Sequence, residues 1–212
     1  MTGIHLDDVY IDLSNLEFST DTYSCTKKYE KSILKDMKDM AFPEEIKSRA
    51  NQIYLEMNIP TKKKGKRKQL IYFCITSAYK EYNIPFIPNE IAARVGITLR
   101  MASKSKSLYS SVITGYNVKG KRFNPIDYIP VLYPYIGIKE GHEETLKYIT
   151  NIIINKDNRI LNSTPHIVTA GIILYFIEII GMEYNGNLEQ ILGVSRTKLY
   201  DTKNKIRKIY NE

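Results

Sequence analysis

The stretches Glu90-Ile-Ala-Ala-Arg-Val-Gly-Ile-Thr-Leu-Arg100 and Leu188-Glu-Gln-Ile-Leu-Gly-Val-Ser-Arg-Thr-Lys198 share one layout, and this layout decides the fold. Each predicts a short helix, a glycine turn, an apolar residue and a Ser or Thr before a second helix. Gly96 and Gly193 are expected to adopt the positive φ that such a turn requires. The spacing predicts a helix-turn-helix in both places.

The two residues after each glycine have separate expected roles. Ile97 and Val194 are expected to pack between the helices of their motif. Thr98 and Ser195 are expected to cap the second helix by accepting a hydrogen bond from its first turn. One such motif is moderately specific, because many helical hairpins carry glycine in the turn. Two motifs, each followed by a Lys/Arg-rich segment, are more specific.

Each motif lies in the second half of a longer repeated segment. In the first segment, the apolar run 70–79 precedes the motif and a basic run continues to Val112. In the second segment, the apolar run 166–175 precedes the motif and a basic run continues to Tyr210. One inserted residue in the polar break of the second copy brings the two segments into register, and an insertion of this kind belongs in a loop.

The rest of the sequence is also helical in pattern. The run 167–180 is apolar nearly all round, which predicts a central, fully buried helix that begins at Pro165 after Ser163 and Thr164. Further helices are expected over 29–40, 43–57, 125–136 and 140–155. The inward stripe of the matching helix in the first repeat is predicted to be Leu70, Phe73, Cys74, Ser77, Ala78 and Glu81.

No segment shows sustained alternation of apolar and polar residues, so an all-α fold is predicted. We expect two tandem repeats of about five helices each, at 27–115 and 125–212, each ending in a helix-turn-helix. The polar, basic segment 116–124 is predicted to be the linker between them. Residues 1–26 are predicted to be a separate acidic segment.

Charge is unevenly distributed along the chain, whose net charge is +8. Residues 1–26 contain acidic residues but neither lysine nor arginine, so the remainder is strongly basic. A basic body indicates a polyanionic partner, most often nucleic acid, although solubility alone would also account for it. The acidic segment has three interpretations: a partner-binding tail, a nucleic-acid mimic that shields the basic body, or disordered filler.

Several classes of protein are not expected. No apolar run reaches the roughly 18 residues of a membrane span, and the N-terminus lacks the pattern of a secretory signal. Cys25 and Cys74 form neither a disulfide framework nor a zinc motif, which favours an intracellular compartment. His5, His142 and His166 are scattered, and His166 is expected to be structural. We therefore predict no enzyme activity, no metal and no cofactor.

Three basic segments are candidate DNA-binding sites. The run 62–68 is expected to be the loop that enters a central helix, and a helix N-terminus among lysines suits phosphate. A nuclear localisation signal or a solvated surface has the same composition. The basic residues of the linker 116–124 are expected to extend this contact with phosphate. The second motif is predicted to contact bases near the start of its second helix, whereas the first is interpreted as closing its bundle. The candidate residues are Lys62, Lys63, Lys64, Lys66, Arg67, Lys68, Lys119, Lys121, Arg122, Ser195, Arg196, Thr197, Lys198, Tyr200 and Lys203.

Residues 27–210 resemble the core of transcription factor IIB and its archaeal relatives, which consists of two cyclin-like repeats. The motifs follow one another in the same order as in that family. The family's first repeat carries an Arg-x-Asn-type helix, a Lys-Gly-Arg connector, an apolar helix ending in tyrosine and a Glu-Ile helix before the turn. The matching segments are Ile46-Lys-Ser-Arg-Ala-Asn-Gln-Ile-Tyr54, Lys64-Gly65-Lys66-Arg67, Ile71–Tyr79 and Glu90-Ile91. In the second repeat, Gly193-Val194-Ser195 matches the family's turn.

The resemblance implies a transcription initiation factor with cyclin-like repeats. Such proteins bind double-stranded promoter DNA together with a TATA-binding-type protein and help to recruit RNA polymerase. By position, the family's base-reading residues fall on Thr197 and Tyr200, where the family usually has an apolar residue and an arginine. A tyrosine at the second position removes the bidentate contact of arginine with guanine. The implied location is the nucleus, or a cytoplasmic viral factory for a divergent viral relative.

The front of the chain departs from the family pattern. The family carries an N-terminal zinc ribbon and a segment that enters polymerase, and residues 1–26 match neither. Either this arm is missing, or it belongs to a longer protein or another subunit. Two other functions fit the residues: a cyclin-like adaptor that binds a protein kinase, which would need no basic DNA-binding face, and a stand-alone DNA-binding regulator.

Overall fold

The structure of the protein is a computed structural model that describes residues 3–6, 9–12, 32–57, 59–60, 62–136, 141–184 and 186–211. The chain divides into two compact units, residues 1–30 and 31–212. The first unit contains a hairpin of two antiparallel strands, β1 (Gly3–Leu6) and β2 (Val9–Asp12). This hairpin was not predicted, because its strands are only four residues long and the sequence lacks a sustained alternating pattern.

The second unit is helical throughout its described residues, which confirms the all-α prediction for this part of the chain. Its α-helices are α1 (Leu34–Met37), α2 (Glu44–Glu56), α3 (Lys64–Glu81), α4 (Pro88–Val95), α5 (Leu99–Leu108), α6 (Ser111–Thr114), α7 (Ile129–Leu132), α8 (Glu143–Lys156), α9 (Pro165–Ile179), α10 (Leu188–Leu192) and α11 (Arg196–Asn211). Short 3₁₀ helices cover Pro125–Tyr128, Tyr133–Tyr135 and Asn158–Asn162. None of the helices described here is long and apolar enough to cross a membrane.

Two predicted helices differ from their expected extent. The helix predicted over 29–40 is reduced to α1 within the described residues; positions 29–31 lie outside them. The helix predicted over 125–136 is split into two 3₁₀ helices around α7. The prolines at 130 and 134 each lack the backbone N–H that the interior of a continuous α-helix needs, which accounts for the interruption.

Two apolar clusters form the core of the helical unit. The first surrounds α3, whose Leu70, Cys74 and Ala78 are fully buried. The second surrounds α9, in which every residue from 166 to 177 is buried, so the predicted central helix is confirmed over this range. Burial was predicted to continue to residue 180, but Glu178 and Ile179 are exposed. Its predicted start is confirmed as well, because Pro165 is its first residue. Each fully buried Leu or Ile contributes about 1.5–3 kcal/mol to stability.

The segment 116–124, predicted to be a polar linker, packs against the end of α3. Tyr116 and Phe123 are buried. The Tyr116 hydroxyl donates a hydrogen bond to the Glu81 carboxylate, which also accepts one from Arg49 Nε at 2.6 Å. Gly120 has φ of 120°, and a Cβ there would collide with the backbone carbonyl of Lys80. These contacts hold the segment in place between the two apolar clusters.

Candidate nucleic-acid interface

Both predicted helix-turn-helix motifs are present. They consist of α4 with α5 and α10 with α11. Gly96 and Gly193 have φ of 71° and 65°, as predicted for the turn. Ile97 and Val194 are partly buried against the first and second apolar clusters respectively.

The predicted N-caps are also confirmed. Thr98 Oγ1 accepts a hydrogen bond from the backbone N–H of Met101 at 3.3 Å. Ser195 Oγ accepts one from the backbone N–H of Lys198, also at 3.3 Å. Each cap satisfies one of the backbone donors that the first helical turn leaves without a partner. Ser195, a predicted DNA-binding residue, therefore has a structural role at the start of α11.

The two motifs contact each other. The Asn89 side-chain amide donates hydrogen bonds to the backbone carbonyls of Gln190 at 2.8 Å and Ile191 at 3.1 Å. A Cβ on Gly193 would lie 2.8 Å from Asn89 Cγ and would collide with Leu99. This contact was not predicted, because an asparagine at the start of a helix carries no sign in the sequence of a partner about a hundred residues away.

The first turn of α11 is open to solvent. Arg196, Thr197 and Lys198 are all exposed. The Arg196 guanidinium lies 4.0 Å from the Glu189 carboxylate, a weak pair at this exposure. Lys198 has no ion pair among the described residues. Three of the predicted residues are therefore brought together at one accessible helix start.

One turn further along, α11 carries a tyrosine between two cations. The Tyr200 ring is half-buried, with the Arg196 guanidinium carbon 5.3 Å and the Lys203 amine 4.8 Å from its centroid. The Lys203 amine also lies 2.6 Å from the Glu178 carboxylate, which pairs with Arg207 at 3.2 Å. Lys203 therefore joins α11 to α9, and its charge is already matched inside the protein.

The basic run 62–68 was predicted to be a loop, but α3 already begins at Lys64. Arg67 lies on the inward face of the helix. Its Nη2 donates to the Ser32 carbonyl at 2.6 Å and to the Asp36 carboxylate at 2.8 Å, and its Nη1 lies 3.4 Å from the Tyr54 hydroxyl. Only 17% of its side chain is exposed. Arg67 therefore joins α1, α2 and α3, and the expectation that it contacts phosphate does not agree with this position.

The lysines of the run have the opposite orientation. Lys63, Lys64, Lys66 and Lys68 are exposed and Lys62 is half-exposed, and no ion pair is found for any of them within residues 32–211 as described. Lys68 makes one long contact, 3.4 Å from the Gly96 carbonyl. These amines are available to an external anion such as phosphate.

The linker cations are used differently from one another. The Lys121 amine lies 2.8 Å from the Asp127 carboxylate, and the Arg122 guanidinium donates to the Leu161 carbonyl at 3.0 Å. Both side chains thus help to hold the linker on two of the 3₁₀ helices, Pro125–Tyr128 and Asn158–Asn162. Lys119 is exposed, and its side-chain amine forms no ion pair in the described part of the chain. Lys119 is the linker residue best placed to meet phosphate.

We expect Arg67→Met to lower the free energy of unfolding by about 2 kcal/mol, because it removes two short hydrogen bonds and leaves the Asp36 carboxylate without its cation. The matched change Lys66→Met, at an exposed neighbour, should alter stability by less than about 0.5 kcal/mol. Urea unfolding followed by circular dichroism measures both. Equal stabilities of the two variants would contradict a structural role for Arg67.

Cys74 and His166 of the helical unit are both buried. Within the described residues, no group of three or more His, Cys, Asp or Glu side chains is placed to hold a metal ion. Burial raises the pKa of the Cys74 thiol. His166 is buried with its ring 5.5 Å from that of Tyr128, and burial followed by the charge of Lys198 lowers its pKa to about 4. These groups lie in the apolar core.

Comparison with known proteins gives no assignment. No model of a protein family matches the chain, and a search of curated proteins finds no significant relative.

Proposed function

We propose that this protein is a transcription initiation factor of the transcription factor IIB type, built from two cyclin-like repeats. In this proposal it binds double-stranded promoter DNA together with a TATA-binding-type protein and helps to recruit RNA polymerase. The observation that carries the proposal is the second helix-turn-helix, whose long second helix begins with an exposed Arg196, Thr197 and Lys198. Residues at the start of such a helix are the ones that reach base edges.

The distribution of unmatched charge supports the same proposal. A structural cation has a carboxylate or carbonyl partner, as Arg67 and Lys203 do. Among the described residues, no carboxylate or carbonyl partner is found for the side-chain amines of Lys66, Lys119 and Lys198. Each of these lysines belongs to a different basic segment. Amines that remain unpaired and hydrated supply most of the affinity of DNA-binding proteins, because they release counterions from phosphate.

The proposed base-reading positions are Thr197 and Tyr200. Thr197 is exposed, and threonine can make either a hydroxyl contact or a methyl contact with a base edge. The Tyr200 hydroxyl lies 3.4 Å from an Arg196 guanidinium nitrogen, so the two side chains form one unit. We propose that Arg196, held over the Tyr200 ring, takes the place of the arginine that the family has at the position of Tyr200.

Lys198→Ala is expected to weaken binding to an AT-rich duplex about tenfold at roughly 0.1 M salt and to reduce the slope of log K against log salt by about 0.9. The measurement is fluorescence anisotropy with labelled duplex, with and without a TATA-binding-type protein, at two salt concentrations. The control is Lys147→Ala, which removes the same charge from a lysine that already pairs with Glu143 and Glu144.

Each outcome of this titration separates the candidate functions. Binding that requires the TATA-binding-type protein supports the initiation factor. Equal, salt-sensitive binding without the partner favours a stand-alone DNA-binding regulator. No binding in either condition favours the cyclin-like adaptor, and equal losses in the two lysine variants would mean that net charge, not the start of α11, governs the interaction.

A further inference from the structure

A cavity of about 380 Å³ lies between α3, α5 and the start of α9. Its apolar wall contains three aromatic rings packed edge to face. Phe86 and Phe123 have centroids 6.3 Å apart at 90°, and Phe123 and Tyr128 have centroids 5.9 Å apart at 81°. The volume falls within the range of about 300–1,000 Å³ that is usual for small-molecule sites.

A second, more polar cavity of about 210 Å³ adjoins the first. Thr76, Lys80 and Lys106 line both cavities, so the two lysines lie where the cavities meet. The far side of the second cavity carries hydrogen-bonding groups, including Ser110 and Asn117. A hydroxyl and an amide are suitable donors to an anion.

The two lysines at this junction lack a counter-ion. No ion pair is found for Lys80 or Lys106 in the described residues of the helical unit. Burial, and then the charge of Lys106, lowers the pKa of Lys80. Lys80 is half-buried whereas Lys106 is exposed. A partly buried ammonium group next to a second positive charge is destabilised unless an anion offsets it.

Three other cations with low exposure in this part of the helical unit each have a carboxylate partner. Lys47 pairs with Glu44 at 2.9 Å, Arg49 with Glu81 at 2.6 Å, and Arg67 with Asp36 at 2.8 Å. Half-buried Lys80 has no ion pair among the described residues, and it lies with Lys106 where the two cavities meet. The missing partner is therefore best sought among external ligands.

We propose that this double cavity binds a small molecule with an aromatic body and a phosphate group. The body occupies the apolar cavity against Phe86 and Phe123, and the phosphate lies between the Lys80 and Lys106 amines. The proposal does not depend on the DNA-binding function, because none of these residues belongs to the start of α11.

Pyridoxal 5′-phosphate is a direct probe, since it carries an aromatic ring, a phosphate and an aldehyde. The aldehyde condenses with a neutral lysine amine, releasing water to form an imine, and borohydride supplies hydride to reduce the imine to a stable secondary amine. Peptide mass spectrometry then locates the label. We expect Lys80 or Lys106 to be labelled at least about tenfold faster than Lys104, an exposed lysine on the same helix as Lys106.

Protection experiments identify the ligand class in the unmodified full chain. Phenyl phosphate should slow the labelling, whereas phenol or inorganic phosphate alone should protect at least about tenfold more weakly. Lys106→Met should remove this protection, and Lys104→Met should leave it intact.

Three results would overturn the proposal. One is labelling of Lys104 as fast as Lys80 and Lys106. Another is equal protection by inorganic phosphate and phenyl phosphate, which would leave the aromatic cavity without a role. The third is protection by duplex DNA but not by phenyl phosphate, which would assign the lysine pair to the nucleic-acid surface. Loss of DNA binding in the anisotropy experiment would not affect any of these readouts.

Discussion

Gly193→Ala is expected to lower the free energy of unfolding by about 3 kcal/mol. About 1 kcal/mol of this loss comes from placing a Cβ at a left-handed backbone conformation, because φ is 65°. The remainder comes from displacement of Asn89, since the new Cβ would lie 2.8 Å from Asn89 Cγ. Asn89 cannot move without giving up its hydrogen bonds to the carbonyls of Gln190 and Ile191. Urea unfolding followed by circular dichroism measures the loss.

Gly115→Ala is the matched control for this prediction. Gly115 also follows a helix and has φ of 70°, but a Cβ there would meet no atom within 4 Å. Its replacement should therefore cost only the backbone term, about 1 kcal/mol. Equal losses at the two glycines would mean that the contact between the two helix-turn-helix motifs contributes nothing to stability.

This contact also has a consequence for the proposed function. It joins α4 to α10, the helix before the turn into α11, so it helps to set the direction in which the start of α11 faces relative to α4. The Tyr135 hydroxyl adds a second link by donating to the Glu90 carboxylate at 2.6 Å. A protein that contacts one DNA duplex with both helix-turn-helix motifs would need such a fixed relation between them.

The parts of the fold that could be predicted from the sequence are those set by local chemistry. Only glycine adopts the left-handed turn without strain, so Gly96 and Gly193 marked both motifs. Pro165 after a threonine marked the start of α9, and the lack of any polar face marked its burial. Such signals depend on neighbours within one or two turns of helix, and the sequence contains all of them.

The roles of individual cations could not be predicted in this way. Arg67 and Lys66 are adjacent in one basic run, yet the first bonds to Ser32 and Asp36 and the second is exposed. A rotation of about 100° per residue along a helix places consecutive side chains on different faces. A loop has no such regular rotation, so the expectation of a loop over 62–68 could not separate the two side chains. A start for α3 at Lys64 would have separated the two residues.

Contacts between distant segments were missed for a different reason. Asn89, Glu178 and Glu81 each form their decisive bonds with residues that are remote in sequence. A single polar residue has the same appearance in the sequence whether it is solvated or bonded, and only the packing of the apolar clusters brings its partner within reach. The cavities beside Lys80 are also products of that packing.

The stability of the protein is expected to decrease by about 2 kcal/mol between pH 7 and about pH 4.5 through His166 alone. The pKa of this imidazole is lowered from 6.5 to about 4, first by burial and then by the charge of Lys198. The unfolded chain therefore binds a proton below about pH 6.5 that the folded protein does not bind until about pH 4. Protons favour the unfolded state within this interval, so stability rises with pH.

His166→Phe isolates this effect, because phenylalanine keeps a ring against Tyr128 and has no proton to gain. Urea unfolding at both pH values should show that the variant loses about 2 kcal/mol less than the unchanged protein. Carboxylates such as Glu178, whose pKa is lowered by the hydrogen bond from Lys203, also lose their contribution in acid, but they are common to both proteins and cancel in the difference. A ring proton of His166 that titrates near pH 6.5 by NMR, with identical pH profiles for the two proteins, would place the imidazole in contact with water. His166 lines the cavity beside α9 together with Tyr128 and Phe123. The same result would therefore mean that this wall of the cavity is hydrated and not apolar.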